Sequence, residues 1–236
     1  IMGKEEYLDN ITIDGLDESY GTNMDVEDFE NASATVVEFR IDGSASMDPY
    51  KRAMSECLEH YKEAIVNSKQ ADEIILGKSI FETKIKNYGY VSPEDFNTDY
   101  TADGWSTRLY DAIVNGRQSL LDYMNLLKNN GTNVRGCMVI LSDGADNDSQ
   151  CRANDARKAI EDLTSKEIPV AFIAFGQDAF GIADSIGIKK NNVKEVSNNE
   201  SELRRIIALV SKSAISASKN ASSGAGGNDD GGFFDV

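Results

Sequence analysis

The fold is signalled most clearly by residues 34–46, which read ATVVEFRIDGSAS. Residues 34–41 are rich in β-branched and apolar side chains, as expected of a strand in the middle of a sheet. Asp42 follows directly, and hydroxyl residues then alternate with small residues as far as Ser46. Because ligands of open α/β sheets bind at the carboxyl ends of strands, this segment predicts a strand with a polar site at its end.

The rest of the chain alternates between strand-like and helix-like patterns. Apolar residues at helical spacing predict helices at 54–65, 109–127, 156–163, 182–186 and 200–213. Continuous apolar runs predict buried strands at 137–141 and 170–176, and shorter strands are predicted at 73–77, 83–91 and 193–196. The alternation predicts a doubly wound, mainly parallel α/β sheet with helices on both faces, in which residues 83–91 form one antiparallel edge strand.

The charge distribution divides the chain into three parts. Ten acids and one Lys give the N-terminal arm, residues 1–33, a charge of −9. Three acids and one Lys give the Gly/Ser-rich tail, residues 216–236, a charge of −2, so the domain at 34–215 carries −5 of the total −16. Acidity in the flanks predicts solvated arms rather than a charged domain surface.

Composition excludes several classes of function. A negative net charge without a basic face argues against nucleic-acid binding. A membrane span is not expected, because no apolar run approaches the roughly 18 residues that a transmembrane helix requires. The single histidine, His60, excludes a His-rich zinc site by count. A Ser-His-Asp relay would have to use His60, and nothing in the sequence places it near the Asp42 segment.

The cysteines and the N-terminus favour a cytoplasmic protein. Three cysteines are an odd number without metal-like spacing, which predicts free thiols in a reducing compartment: Cys57, Cys137 and Cys151. The first residues lack the apolar core of a signal peptide, although Ile1 before Met2 leaves an upstream signal open.

Three separated segments offer oxygen ligands at predicted strand ends and a helix entrance. Asp42, Ser44 and Ser46 stand at i, i+2 and i+4, Thr107 precedes a predicted helix, and Asp143 follows a predicted strand. Hard divalent cations prefer six or more oxygen ligands. Two carboxylates would offset the charge of such an ion, and the neutral hydroxyls would leave it able to accept an outside carboxylate.

A purely structural interpretation exists for two of the three segments. Asp42 and Asp143 are residue types that commonly cap helices, and Ser44 and Ser46 are residue types that fill turns. Asp-x-Ser-x-Ser alone is a weak motif. The order and context of all three segments together favour the cation site.

These segments resemble the metal-ion-dependent adhesion site of the von Willebrand factor A (VWA) family. Residues 37–47 resemble the first strand and Asp-x-Ser-x-Ser loop of the family, residues 106–113 its threonine loop, and residues 138–144 its fourth strand. The resemblance covers about residues 34–215. The overall style of the sequence is similar to that of the intracellular bacterial members of the family, which include tellurium-resistance-associated proteins. Trp105-Ser106 departs from the small residues common there and puts the shape of that loop in doubt.

The resemblance implies a ligand set and a partner. Ser44, Ser46 and Thr107 would contact the metal directly, and Asp42 and Asp143 directly or through water. The expected ion is Mg²⁺ or Mn²⁺, with Ca²⁺ as a further candidate. A protein partner would supply an Asp or Glu to complete the shell.

We therefore predict a divalent-cation-dependent protein-interaction module that acts as a scaffold, not an enzyme. No nucleophile–base pair, phosphate loop or redox motif is visible in the sequence. A metal-assisted hydrolase is one alternative, but it would need a general base, and Asp42 and Asp143 are already assigned to the ion. An extracellular cation-dependent adhesin is the other alternative.

Several residues outside the motif keep two interpretations. Trp105 is either a partner anchor or a residue that packs its loop onto the domain. Asp146 and Asp148 either shape the rim of the site or form turns. The tip at Phe233 and Phe234 is either a docking peptide, with self-association through the tail as one outcome, or part of a flexible tail.

Overall fold

The computed structural model describes residues 3–176, 179–196, 200–222 and 232–235. Seven strands form one sheet in the order β1-β4-β3-β2-β5-β6-β7. Their bounds are β1 Leu16–Asp17, β2 Ser33–Asp42, β3 Ile74–Phe81, β4 Ile85–Val91, β5 Asn133–Ser142, β6 Val170–Phe175 and β7 Val193–Val196. Six helices surround it: α1 Lys4–Asp9, α2 Lys51–Val66, α3 Leu109–Asn129, α4 Ala153–Ser165, α5 Ala179–Ser185 and α6 Glu200–Ser222.

The sheet has the predicted class. All neighbouring strands pair in parallel except β3 and β4, which are antiparallel. The antiparallel strand β4 covers most of the predicted segment 83–91, and the two-residue β1 extends the sheet beyond it. The fold class predicted from the sequence is therefore confirmed.

Helices cover both faces of the sheet because alternate side chains of β2 point in opposite directions. Val37, Phe39 and Ile41 join a core cluster with the apolar stripe of α2 and α6. Val36, on the other face, joins a second cluster with the stripe of α3 and α4. Within the described residues, no helix combines the length and the apolar character that crossing a membrane requires.

A buried ionic network interrupts the α3 face. Glu38 and Arg40 of β2 are almost fully buried, and Arg40 Nε lies 2.7 Å from Glu38 Oε1. Arg40 Nη1 also donates to Oδ1 of Asn115 on α3 at 2.9 Å and to Oδ1 of Asn87 on β4 at 3.3 Å. The network connects β2, β4 and α3 through one guanidinium.

The N-terminal arm packs along the domain. Its acidic side chains are largely exposed, but Leu8 and Phe29 are buried in the core cluster that contains α3. Arg117 of α3 pairs with both Asp9 of the arm and Asp162 of α4. The arm also adds the edge strand β1 at Leu16–Asp17.

The C-terminal segments lie against the domain. Helix α6 ends at Ser222, beyond residue 216, where the Ser/Ala-rich composition predicts a flexible linker. Phe234 is buried in the core cluster that contains α2 and α6. The backbone of Phe233 accepts a hydrogen bond from Ser213 Oγ (2.7 Å) and donates one to Asn192 Oδ1 (2.8 Å). The described tip thus docks onto its own domain.

Candidate metal centre

The centre of the site is the turn that follows β2. Asp42 is fully buried, and its Oδ1 accepts hydrogen bonds from the backbone N–H (2.9 Å) and the hydroxyl (2.6 Å) of Ser44. The Ser44 and Ser46 hydroxyl oxygens lie 2.9 Å apart. Gly43 permits this turn, because a Cβ there would lie only 2.5 Å from the Ile80 side chain. Ser44 therefore contacts both Asp42 and Ser46, and the three residues of the motif lie together.

The neighbouring strand supplies the second half of the site. β2 and β5 pair in parallel with Ile41 opposite Leu141, so Asp42 and Ser142 end their strands side by side. The Ser142 hydroxyl donates to Oδ2 of Asp42 at 2.6 Å. Asp143 comes next, half-buried, and its Oδ1 accepts a hydrogen bond from the Ala145 N–H at 3.0 Å.

The charges of this edge of the sheet are unbalanced. Burial raises the pKa of Asp42 to about 6, the surrounding hydroxyls lower it, and the charge of Asp143 raises it further. Among the described residues, no Lys or Arg forms an ion pair with Asp42. A buried carboxylate without a cationic partner is costly, and hydroxyl and carboxylate oxygens are the donors that hard dications take. The residues present thus fit a divalent cation.

The threonine loop is fastened to the Asp42 turn by its backbone. Gly104 pairs with Ser44 in an isolated parallel bridge, with Ala45 N–H donating to Gly104 O and Gly104 N–H to Gly43 O, both at 2.9 Å. Thr107 is buried. Its backbone N–H donates to Asn147 Oδ1 at 2.8 Å, and its carbonyl accepts from Asn147 N–H at 3.1 Å. These bonds bring Thr107 between the other two segments, although its hydroxyl is not part of the hydrogen-bonded Asp42–Ser44–Ser46 group.

The loop after Asp143 also shapes the entrance of α3. Asp146 Oδ1 accepts hydrogen bonds from the Tyr110 N–H (3.2 Å) and from the Ser149 hydroxyl (2.5 Å). The buried carboxylate of Asp111 in turn accepts the backbone N–H groups of Gln150 (3.0 Å) and Cys151 (2.8 Å). Asp146 is therefore a structural residue that holds the loop against the helix.

Sequence reasoning missed three residues of the site. Ser142 binds Asp42 directly, Asn147 holds Thr107, and the Tyr100 hydroxyl donates to the backbone carbonyl of Asp42 at 2.5 Å. Ser142 had a signal, since it lies between the last apolar strand residue and Asp143. Asn147 and Tyr100 lie in loops whose patterns give none.

Hydroxyl groups are essential to the candidate site. Within the described ranges, no three His, Cys, Asp or Glu side chains cluster as metal ligands. The predicted ligand set has two carboxylates, Asp42 and Asp143, and serine and threonine hydroxyls would supply its further ligands. Trp105 stands beside the site with 96% of its surface exposed, which contradicts the interpretation that it packs the loop onto the domain.

Solved structures share this fold, while no protein-family model and no curated protein matches the sequence. The pilus adhesin SpaC from Lactobacillus rhamnosus GG aligns with a TM-score of 0.65 at 10% identity, over 80% of this chain and 31% of that chain. The vWF domain of the type V pili tip protein Mfa5 from Porphyromonas gingivalis aligns with a TM-score of 0.54 at 9% identity, over 85% and 99%. Manganese-loaded TRAP from Plasmodium vivax aligns with a TM-score of 0.51 at 15% identity, over 75% and 74%.

The alignments establish a VWA-like fold and show how much of each neighbour's length this chain covers. The chain spans about a third of the pilus adhesin's length. One protein of this fold carries a divalent ion, as its manganese-loaded structure states. The resemblance to tellurium-resistance-associated proteins stays a prediction.

The expectation of a cytoplasmic protein is contradicted by these neighbours, which include a pilus adhesin and a pili tip protein. The cysteine argument failed for a physical reason. Cys57, Cys137 and Cys151 are all buried and unpaired. A thiol enclosed by the core cannot meet another thiol, so its being free says little about the redox state outside.

Proposed function

We propose that this chain is a cation-dependent adhesion module of a surface protein, which binds a protein ligand through Mg²⁺ or Mn²⁺. The observation that carries the proposal is the fully buried Asp42, surrounded by hydroxyls and without a cationic partner among the described residues. The pilus proteins of the same fold favour adhesion over an intracellular scaffold.

The residues of the candidate site would have different roles in binding. Asp42, Ser44, Ser46, Thr107 and Asp143 would hold the ion, and the bound ion would supply an electrophilic position for an Asp or Glu of the partner. Ser142 and Tyr100 fix Asp42 in place through its carboxylate and its carbonyl. The exposed Trp105 offers the partner a large amphipathic contact at the rim.

A hydrolytic role is disfavoured because the site has no carboxylate to spare. A general base needs a lone pair directed at the attacking water. Asp42 and Asp143 are both assigned to the ion in this proposal, and Asp42 also accepts a hydroxyl hydrogen on each oxygen. The neighbours of the fold are named as adhesin, pilus and thread proteins rather than as enzymes.

Thermal unfolding with and without metal tests the ion. An ion that binds only the native state adds about 2.7 kcal/mol at a hundredfold excess over its dissociation constant, or a rise in Tm of several degrees for a domain of this size. We expect this rise for the wild type in millimolar Mg²⁺ or Mn²⁺ relative to EDTA.

The variants Asp143→Asn and Ser46→Ala should lose most of that rise, and both side chains are accessible enough for the fold to survive. Asp184→Asn, at an exposed carboxylate on α5, is the control and should keep it. An absent rise in the wild type, or an equal rise in Asp143→Asn, would overturn the metal site.

The open coordination position has its own test. Bound Mn²⁺ speeds the relaxation of water protons that exchange at the ion. Titration with acetate, a minimal stand-in for a partner's carboxylate, should reduce this enhancement as the carboxylate replaces water. Enhancement that does not change up to high acetate would argue against a partner carboxylate on the metal.

A further inference from the structure

A second buried polar group, outside the candidate metal centre, lies on β3 at Lys78. Lys78 is almost fully buried, which is rare for a lysine. Its Nζ lies 2.6 Å from Asn97 Oδ1 and 2.8 Å from the carbonyl oxygen of Asp99. The Tyr88 ring covers it, with the ring centre 4.0 Å from Nζ. Nothing in the proposed adhesion site uses this group.

The strand geometry aims the lysine at its neighbours. In the β3–β4 ladder, Gly77 pairs with Tyr90 and Ser79 with Asn87, so Tyr88 and Gly89 together lie opposite Lys78. This is a β-bulge, which is a device that redirects side chains beside functional sites. Gly89 adopts φ +76°, a conformation that favours glycine. The bulge places the Tyr88 ring over the lysine amine.

The amide of Asn97 is held as an electrophile. Its Oδ1 accepts the Asp99 backbone N–H at 3.1 Å, and this donor polarises the carbonyl while the Lys78 amine lies beside it at 2.6 Å. Such a donor stabilises the charge that develops on oxygen when a nucleophile adds. The amide nitrogen donates to Asp99 Oδ2 at 3.3 Å, which puts a carboxylate beside the atom that would leave.

The amine is close enough to add, and much of it is in the neutral form. A carbonyl carbon lies about 1.2 Å from its oxygen, so Nζ lies within about 3.8 Å of Asn97 Cγ, near the distance of an attacking pair. Burial lowers the pKa of Lys78 to about 7, against the opposing effect of Asp99. A large fraction of the amine is therefore neutral at neutral pH, and a neutral amine is the nucleophilic form.

We propose that Lys78 and Asn97 join in an intramolecular amide cross-link, with Asp99 as the proton-transfer group. Lys78 Nζ forms a bond to Asn97 Cγ, and the amine proton passes through the Asp99 carboxyl to Nδ2. The Cγ–Nδ2 bond then breaks, the carbonyl re-forms, and ammonia leaves. One amine and one primary amide become one secondary amide and one ammonia, without an oxidant or a co-reactant.

The surroundings allow this exchange and give it a consequence. A cleft lined by Tyr20, Tyr88 and Asn97 opens beside the pair, so ammonia can leave to solvent. The cross-link would tie β3 to the segment that leads to Tyr100, whose hydroxyl holds the Asp42 carbonyl. It would therefore secure a wall of the candidate metal centre, although it forms independently of any bound ion.

Intact-mass spectrometry of the denatured full chain tests the cross-link. The wild type should weigh about 17 Da less than its sequence, the mass of one ammonia, after incubation near pH 8. Digestion should yield one branched peptide that contains both Lys78 and Asn97. Lys78→Met should restore the sequence mass, and Asp99→Asn should slow the mass loss severalfold.

Two controls separate this product from others. Lys62→Met removes a lysine whose Nζ donates to the carbonyl of Phe96, in the same segment, and should keep the lowered mass. A succinimide at Asn130-Gly131 would also lose one ammonia, but it gives no branched peptide and would persist in Lys78→Met. Since the readout is covalent, a variant that folds poorly still reports. A wild type at its full sequence mass, or a lowered mass that survives Lys78→Met, overturns the proposal.

Discussion

The buried carboxylate of Asp42 is supported by a hydroxyl from the neighbouring strand. Ser142 and Asp42 are both fully buried, and the serine hydroxyl donates to the carboxylate at 2.6 Å. Hydrogen bonds to charged groups stabilise more than neutral ones, and loss of one leaves the buried charge with an unmet acceptor. The strength of the site therefore depends on a residue that would not touch the ion's partner.

Ser142→Ala should lower the free energy of unfolding by about 2 kcal/mol in EDTA, because Asp42 Oδ2 loses its donor inside the protein. Chemical denaturation followed by circular dichroism measures the change. Ser185→Ala serves as the control, since its hydroxyl is exposed and donates only to the Ile182 carbonyl; it should change stability by less than about 0.5 kcal/mol. Equal losses in the two variants would show that the Ser142–Asp42 bond contributes nothing special.

At this scale the sequence predicts residue types better than contacts. The alternation of small and hydroxyl residues after Asp42 is sufficient to predict that Ser44 and Ser46 converge, because the turn is local. Thr107 reaches the site through Gly104 and Asn147, and those contacts join segments far apart in the chain. No local pattern encodes the pairing of one loop with another.

The bounds of the helices and strands also depend partly on local sequence and partly on contacts with distant segments. The apolar run 137–141 predicts only the second half of β5, which begins at Asn133 because Ser33–Val36 of β2 pairs with it from the start. Helix α6 passes the predicted end near 213 because alanines there favour a helix. Ser218 is fully buried and bonds to Gln70 and Glu73. The Ser/Ala-rich composition after residue 216 predicts a flexible segment, but contacts with the domain through Ser218 hold this part of the chain as a helix.

The approach of α3 to β2 gives a test at the scale of elements. At Gly116 of α3, a Cβ would lie 2.6 Å from Arg40 Nε and 2.8 Å from Met138 Cε. The arginine is fixed by Glu38 and Asn115, so it cannot move away without loss of the network. Gly116→Ala should therefore destabilise the fold by roughly 1–3 kcal/mol despite the better helix propensity of alanine.

Gly181→Ala is the matched helical control for this prediction. Gly181 lies in α5, where an added Cβ would meet no atom within 4 Å. Alanine there should leave stability unchanged or raise it by roughly 0.5–1 kcal/mol. Thermal melts of the two variants should move in opposite directions; a stabilised Gly116→Ala would mean that α3 can shift away from the sheet.

At the scale of the whole molecule, described segments near both termini pack against the domain. Leu8 and Phe29 insert from the N-terminal arm, and Phe234 inserts near the C-terminus. The acidic, Gly-rich composition around these residues predicts arms without structure, and a few apolar side chains are enough to dock them. Self-association through the tail stays a prediction, with the docked tip as the state that it would have to displace.

Phe234→Ala should lower the melting temperature by a few degrees. The Phe234 ring is 5% exposed and packs edge-on against Phe233 at 5.1 Å, with Lys194 Nζ 5.4 Å from its centre. A buried phenylalanine loses about 3–5 kcal/mol on truncation to alanine, but a terminal segment can undock alone. The loss is therefore limited to the free energy with which the tip docks.

Amide hydrogen exchange completes that test. In Phe234→Ala, protection should fall in α6 around Ser213, whose hydroxyl holds the Phe233 carbonyl, while the amides of β2 should stay protected. A variant with unchanged protection in α6 and an unchanged melt would place the tip outside the cooperative structure.

The hydrogen bond between Ser142 and Asp42 joins residues 100 positions apart, and this separation has a kinetic meaning. The candidate metal centre cannot form until β2 and β5 have paired. Long-range pairing of parallel strands is slow, because closing the long loop between them has a large entropic cost. An ion that needs both strand ends cannot nucleate the chain. It should leave the refolding rate nearly unchanged and slow unfolding instead, so that occupancy lengthens the lifetime of a molecule already assembled.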